Sequence, residues 1–588
     1  MTAYYILIAL IFGLAVPTCF INPTKKKTVI YVCCCFGLML LMIAFRYDTG
    51  NDYGNYRHYL YSVINDNMSV RQISESYGFE WGYSALMKLT ASIFPSDCAY
   101  LALNIICALL TICPAAYTII RYSKMPWLSA WLYVAITFLY NGMNFTRQSI
   151  AAAFVFMAYG FFVNRKHLGV LAVILLGALF HYSVLIMIPV YIVSLFKPKP
   201  LFLGIVGGGG LLVFIFSNEL LNVILTKFFK KYSQYLGTPY LTRGLSPIFL
   251  IVPSVLLIII MSAYFLGWKK AGRTAEMFTW FIFINFFIWL FIIKHFILER
   301  FTLPIYIYTL ISLPEALEFY RTYCAELAEG LKNGKKERKK GGRKRSPEKY
   351  YKLKKYVSKF LFPGVTAVTL IVTFWYNIFC IDQGVHGVFP YKSLFYPMWI
   401  GSAEVNAKLE RNPHAIFVNL NLQEFSYLMK THDYTVVALV NGSNGNNMEW
   451  AEKSNFKKIG MDELFDCING ESFIGVYSGG KSVFEKASAN EMLSETISLY
   501  DGKYTVTAKS SGANAGAYAS LTVNGREFVT YPEKEGVFFA VFDNKTQKLK
   551  AAQCYATTDY MCEYVGSNGF TGIYYYESFE DLEPVYDL

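Results

Sequence analysis

Charge is scarce in this chain: Asp, Glu, Lys and Arg together make up 16% of its 588 residues, while 54% are hydrophobic. That balance excludes an ordinary soluble domain, in which roughly a quarter of residues are charged. Histidine is scarcer still, with 7 residues, and no Cys or His pair has the spacing of a zinc site. The 12 cysteines make no disulfide framework, because beyond residue 380 only Cys467, Cys554 and Cys562 occur and most of the rest lie inside apolar blocks. A basic leader with a small-residue cleavage site is also lacking, so the first apolar block is expected to be a retained span.

What is present is a series of long uncharged blocks, the mark of a polytopic membrane protein. Residues 1–380 hold 38 Lys and Arg against 15 Asp and Glu, a net +23, whereas residues 381–588 hold 16 against 26, a net −10. A basic membrane domain over 1–380 followed by an acidic soluble domain over 381–588 fits that division, and a nucleic-acid binder does not. The lysines at 25–27 separate blocks 3–21 and 28–45. By the positive-inside rule they mark the cytoplasmic side. Further blocks at 98–120, 126–144, 148–164, two short passes within 168–196, then 201–216, 246–267, 277–293, 301–319 and 360–380 give about twelve spans and an extracytoplasmic C-terminus. Residues 321–359, with KKERKKGGRKR at 335–345, form a basic cytoplasmic loop that faces anionic lipid.

The stretch around which the chain is organised is 45–57, FRYDTGNDYGNYR, which leaves an apolar span and at once presents charge. An ionised side chain costs roughly 2.5–3.5 kcal/mol at the centre of a span, so such groups gather at span ends, in cavities or in pairs. One reading is a structural staple in which Arg46 pairs with Asp48 or Asp52. The other is a working surface. The expected topology places at the outer edge Arg46, Asp48 and Asp52, then Glu80, Arg147, His181, a loop carrying Lys231 and Arg243, and Lys294, His295, Glu299 and Arg300. Five segments that each put a cation at the outer edge, against the topological preference, point to a site for an anionic lipid-linked substrate. Arginine forks match phosphate oxygens. A histidine or carboxylate takes a proton from an attacking hydroxyl, and tyrosines such as Tyr53 and Tyr56 suit sugars, or an interfacial aromatic belt.

The ordered motifs RYDTGNDYGNY at 46–56, EWGY at 80–83, NFTRQSIA at 144–151 and FHYS at 180–183 resemble the EpsG family of exopolysaccharide polymerases, Wzy-type bacterial membrane proteins. The resemblance covers about residues 1–320. It implies a polytopic all-α membrane fold of the GT-C-like polymerase and ligase type in the bacterial plasma membrane. It also implies metal-independent inverting glycosyl transfer without a cofactor, with an undecaprenyl-diphosphate-linked glycan as donor and a second lipid-linked unit as acceptor. Arg147 and Arg46 would take the diphosphate, and His181 or Asp52 the proton transfer or the acceptor. Asp48, Tyr53, Tyr56, Glu80, Lys231, Arg243 and Arg300 complete the expected substrate surface. The implied partners are that lipid-linked glycan, membrane lipid and a polysaccharide co-polymerase or chain-length regulator. An O-antigen-ligase-like enzyme, a metal-dependent GT-C transferase using Asp48 and Asp52, and a lipid-glycan transporter remain as alternatives.

Beyond residue 380 the pattern changes to globular α/β. Residues 415–420, 434–441, 473–477, 519–526 and 537–543 read as strands, with a helix at 422–430. The sequence around Val523-Asn-Gly and the strand ending at Asp543 is similar to the lectin-like domain of interleukin-like EMT inducers. That similarity implies a carbohydrate-binding accessory domain.

Overall fold

The computed structural model describes residues 2–47, 49–227, 244–339, 348–389, 391–394, 422–442, 450–466, 470–529 and 535–556, with short strand pairs at 563–564, 573–574 and 584–585. The first two thirds are helical. Six helices are long and apolar enough to cross a membrane: Thr2–Phe20, Lys25–Ala44, Cys98–Tyr122, Pro247–Leu266, Arg273–Ile292 and Tyr351–Asp382. Pro200–Ile215 and Ser217–Val223, bent by 79°, make a seventh if taken as one broken span. Their outward residues are what lipid requires, since Leu201, Ile258 and Ile371 are each more than 60% exposed.

Of the other apolar blocks expected as spans, 126–144, 148–164 and 168–196 fold as shorter pieces, while 301–319 is divided between the helices Leu303–Tyr306 and Thr309–Lys339. Residues 126–157 form three helices in succession, Pro126–Ala135, Phe138–Asn144 and Thr146–Met157. Thr137 at φ 71° makes the first break and Phe145 the second. Non-helical backbone is tolerated at membrane depth only where protein or a cavity surrounds it, and every side chain from Leu128 to Ile136 is buried. Polar links from neighbouring helices secure these pieces. Trp131 Nε1 donates to Thr373 Oγ1 at 2.9 Å, Asn377 Nδ2 to the Tyr140 hydroxyl at 2.7 Å, and the Tyr308 hydroxyl to Val155 O at 2.6 Å. The block at 168–196 forms the helices His167–Ala178 and Tyr182–Ser194, turning at His181. Glycine permits one close contact: a Cβ at Gly210 would lie 2.7 Å from the Phe287 ring on the helix Arg273–Ile292.

The long helix Glu348–Asp382 does not end the helical unit. The chain reverses through Gly384, His386 and Gly387, all at positive φ, and runs back across the loop that opens at Arg46. Tyr47 N donates to Lys392 O at 3.0 Å, Gly50 N to Gly387 O at 2.9 Å, Asn51 N to His386 O at 3.1 Å and Leu394 N to Phe45 O at 2.9 Å. The expected domain boundary at 380 therefore falls inside the helical unit, which extends at least to Leu394.

The C-terminal sheet is centred on β1 (Tyr434–Gly442), whose nine residues are all buried. It pairs antiparallel with β2 (Ser472–Ser478) and with β8 (Gly536–Asp543), and β8 pairs with β9 (Lys548–Ala556). Alternation along β1 splits the core into two layers. Val436, Ala438 and Val440 face Leu422, Phe425, Phe456 and Phe539, under the helices Leu422–Thr431 and Trp450–Lys457. Val437 and Leu439 face Val506, Ala508 and Leu521, from β5 (Tyr504–Gly512) and β6 (Tyr518–Val523). This is helix on sheet on sheet, joined where β1 meets β5 in parallel at Asn441 and Gly442. The strand expected at 415–420 lies outside the described residues.

Phe539 is fully buried and stacks on Phe456 with centroids 5.4 Å apart. Phe539→Ala should therefore destabilise the sheet unit by about 3–5 kcal/mol. Pulse proteolysis of the full chain in urea should show a lower midpoint for C-terminal fragments, with the helical unit unchanged.

Candidate active site

Arg147 is the first cation after the Phe145 break, at the start of the helix Thr146–Met157. Its Nη1 is ion-paired with Glu80 Oε2, its Nε donates to the Tyr56 hydroxyl at 3.2 Å, and its guanidinium lies 4.4 Å above the Phe79 ring. Glu80 precedes the helix Trp81–Ile93 and is 4% exposed. Its second oxygen accepts the backbone N–H of Tyr182 at 3.2 Å. The same helix start is tied to the 180s turn by Gly82 N, which donates to Leu179 O at 2.8 Å. A Cβ on Gly82 would sit 2.7 Å from that oxygen, so only glycine allows the approach. One charge pair thus brings together the segments at 53–56, 79–83, 144–147 and 179–183.

Asp52 stands beside this pair, just before the helix Tyr53–Asn65. Its N–H donates to Asn144 Oδ1 at 3.0 Å, and the preceding loop is pressed so closely to Met143 that a Cβ on Gly50 would lie 2.6 Å from Met143 O. Among the described residues nothing donates a hydrogen bond to the Asp52 carboxyl. Burial raises its pKa, and the positive fields of Arg300 and then Arg147 oppose that rise. Arg300 itself makes no hydrogen bond or ion pair among the described residues. A partly buried carboxyl in the field of two arginines, with no donor among the described residues, is a group able to take a proton.

His181 lies on the other side of Arg147. Its Nδ1 accepts the Ser183 N–H at 3.1 Å and is 2.8 Å from Ser183 Oγ. Burial first, then Arg147 and Arg300, holds its pKa well below the usual histidine range. A neutral imidazole whose Nδ1 is an acceptor carries its proton on Nε2. In this arrangement His181 offers the site a donor, whereas a general base needs a free lone pair.

Of the other expected site residues, Tyr56 and Glu80 are engaged as described and Arg46 and Tyr53 are buried. Arg46 is 1% exposed; it donates to Ile43 O at 2.7 Å and to Thr146 Oγ1 at 3.4 Å. Its guanidinium is packed into the base of the loop. Tyr53 is 1% exposed and packs edge-on against Tyr100. Asp48, Lys231 and Arg243 lie outside the described residues. Lys294 and His295 turn away to the bent span, where they bond Phe214 O at 2.7 Å and Ser217 Oγ at 2.9 Å.

Three participants were missed. Phe79 is the face on which Arg147 rests, signalled only by preceding Glu80. Asn144, inside its motif, holds the Asp52 backbone. His386 was passed over because it follows the last apolar block. Its imidazole is 3.8 Å from Glu299 Oε1 and edge-on to Phe145 at 4.9 Å. Burial raises Glu299 to about 7, with Arg300 opposing, and lowers His386 to about 4.

Compared with known proteins, residues 29–325 match the model of the EpsG family. No curated protein and no solved structure matches the chain.

Removing one partner of a buried ion pair leaves the other charge uncompensated, at a cost of about 3–5 kcal/mol. Glu80→Ala should therefore lower the thermal midpoint of the purified protein clearly more than Glu80→Gln, which keeps an acceptor for Tyr182 N–H. Glu299 gives a pH signature. With its folded pKa near 7, above the unfolded value of 4.5, the native state binds the extra proton, so its contribution is full below pH 4.5 and is lost as pH rises through about 7. The stability gain of Glu299→Gln over wild type should grow across that interval and level off above it.

Proposed function

The chain belongs to the EpsG family, and on that premise we propose that it is a polysaccharide polymerase, a glycosyltransferase that joins lipid-diphosphate-linked repeat units at the outer face of a bacterial plasma membrane. The observation that carries this reading is the meeting of Asp52, Arg147, His181 and Arg300, drawn from four distant parts of the chain, at one place beside the apolar helices. An anionic leaving group needs cations, and a weak nucleophile needs a base; these four residues would supply both.

In the proposed reaction a sugar hydroxyl of one repeat unit attacks the anomeric carbon of another. The new C–O bond forms as the bond from that carbon to the diphosphate breaks, with inversion, and the electron pair leaves on the diphosphate. Asp52 takes the hydroxyl proton. Arg300, uncommitted among the described residues, and Arg147, still partly exposed, receive the developing charge. His181 supports the same oxygens or a sugar hydroxyl through Nε2–H. This assignment prefers Asp52 to His181 as base because the histidine Nδ1 is already an acceptor, and it prefers Arg300 to Arg46 because Arg46 is buried. The undecaprenyl carrier, a chain-length regulator as partner and an extracytoplasmic C-terminal domain with a glycan ligand belong to the same proposal. They rest on the family, on the charge distribution and on the EpsG-like motifs.

Full-length protein in liposomes, given a lipid-diphosphate-linked oligosaccharide, should elongate chains with EDTA present. Asp52→Asn should lower the rate about 10²–10⁴-fold, the usual loss with a general base. Arg147→Lys should also lose most activity, since an ammonium does not reproduce the guanidinium fork. A wild-type enzyme inert until a divalent metal is added would move the assignment to a metal-dependent transferase. Lipid movement without elongation would overturn it.

A further inference from the structure

His386 occupies an unusual position. It is a non-glycine residue at φ 64°, flanked by Gly384 at 61° and Gly387 at 66°. A positive φ strains a residue that carries a Cβ, and it persists where surrounding contacts impose it. Both ends of the residue are occupied. Its carbonyl accepts the N–H of Asn51, the neighbour of Asp52, at 3.1 Å, and its ring Nε2 faces Glu299, the neighbour of Arg300, at 3.8 Å. Gly387 reinforces the first contact, because its carbonyl accepts Gly50 N–H at 2.9 Å and a Cβ there would lie 2.0 Å from Asn51 Oδ1. The ring is further fixed edge-on against Phe145, two residues before Arg147.

We propose that His386 is a positioning residue of the active site, one that sets the separation of Asp52 from Arg300 by holding the Asn51 backbone beside the one and facing the Glu299 carboxyl beside the other. The strap at 385–389 and 391–394, which lies beyond the family-matched residues 29–325, is then part of the catalytic unit. This inference rests on the polymerase reading of the same site. The two acidic neighbours divide the work: Asp52 faces the reacting groups, and Glu299 is turned to the imidazole.

Purified full-length protein in nanodiscs separates the possibilities, with a farnesyl diphosphate ester of N-acetylglucosamine as the probe and binding read by calorimetry. His386→Gly relieves the positive φ but deletes the ring; its melting temperature should stay within a few degrees while affinity falls about tenfold. His386→Gln restores a polar end where Nε2 stood, and affinity should return to within about threefold of wild type. Gly387→Val, which drives the strap off Asn51, should reduce affinity at least as much as His386→Gly. Equal affinity in wild type and His386→Gly overturns the inference while leaving the polymerase reading intact. So does a His386→Gln protein as weak as His386→Gly. If wild type itself fails to bind the probe, the polymerase reading falls, and the inference with it.

Discussion

A guanidinium that cannot be left unpaired beside a bilayer organises this molecule. Arg147 emerges from a broken helix among apolar neighbours, and the low dielectric there makes an uncompensated charge very costly. Glu80 answers it, and because a carboxylate has two oxygens it also fixes the 180s turn through Tyr182 N–H. The aromatic faces of Phe79, Tyr56 and Tyr83 complete the cradle. Everything assigned to the site is within one or two residues of a segment that this pair anchors, or is held against one.

The pair is possible only because the helices through 126–157 are interrupted. A continuous helix would satisfy its own backbone and carry Arg147 on a smooth face. The interruptions at Thr137 and Phe145 instead turn Asn144 so that it can accept the Asp52 N–H. The surrounding hydrogen bonds to Thr373 and from Asn377 and Tyr308 show what such breaks require: polar partners supplied by other helices, within protein. The same logic explains why Arg46 is buried. Situated where the second span ends, its fork donates to the Ile43 carbonyl of that helix and to Thr146 Oγ1, tying the first motif to the third.

The helical unit reaches past its last apolar helix. A strap of about ten residues returns over the opening loop by backbone pairing, which depends little on side-chain identity. Two glycines and one strained histidine make the reversal. The sheet unit that follows is held by a different principle, alternation along a fully buried strand that serves two cores at once.

The membrane character, the basic-then-acidic division, some of the C-terminal elements (the strands near 434–441, 473–477 and 537–543 and the helix near 422–430), and the four motifs were legible from residue order. Each depends on local quantities: hydropathy, charge and spacing. The turn at His181 was legible for the same reason, because an apolar block of that length bends where its polar residues cluster. The number of spanning helices was not, because whether residues 126–157 run unbroken depends on partners more than 150 residues away, such as Thr373 and Tyr308. Nor could sequence separate Arg46 from Arg300, two arginines at apolar edges, one of which packing buries while the other makes no hydrogen bond or ion pair among the described residues. His386 was beyond reach altogether. Its role arises from a chain reversal and a backbone pairing with residues 50 and 51, and only tertiary structure brings groups that far apart in the chain to within hydrogen-bonding distance.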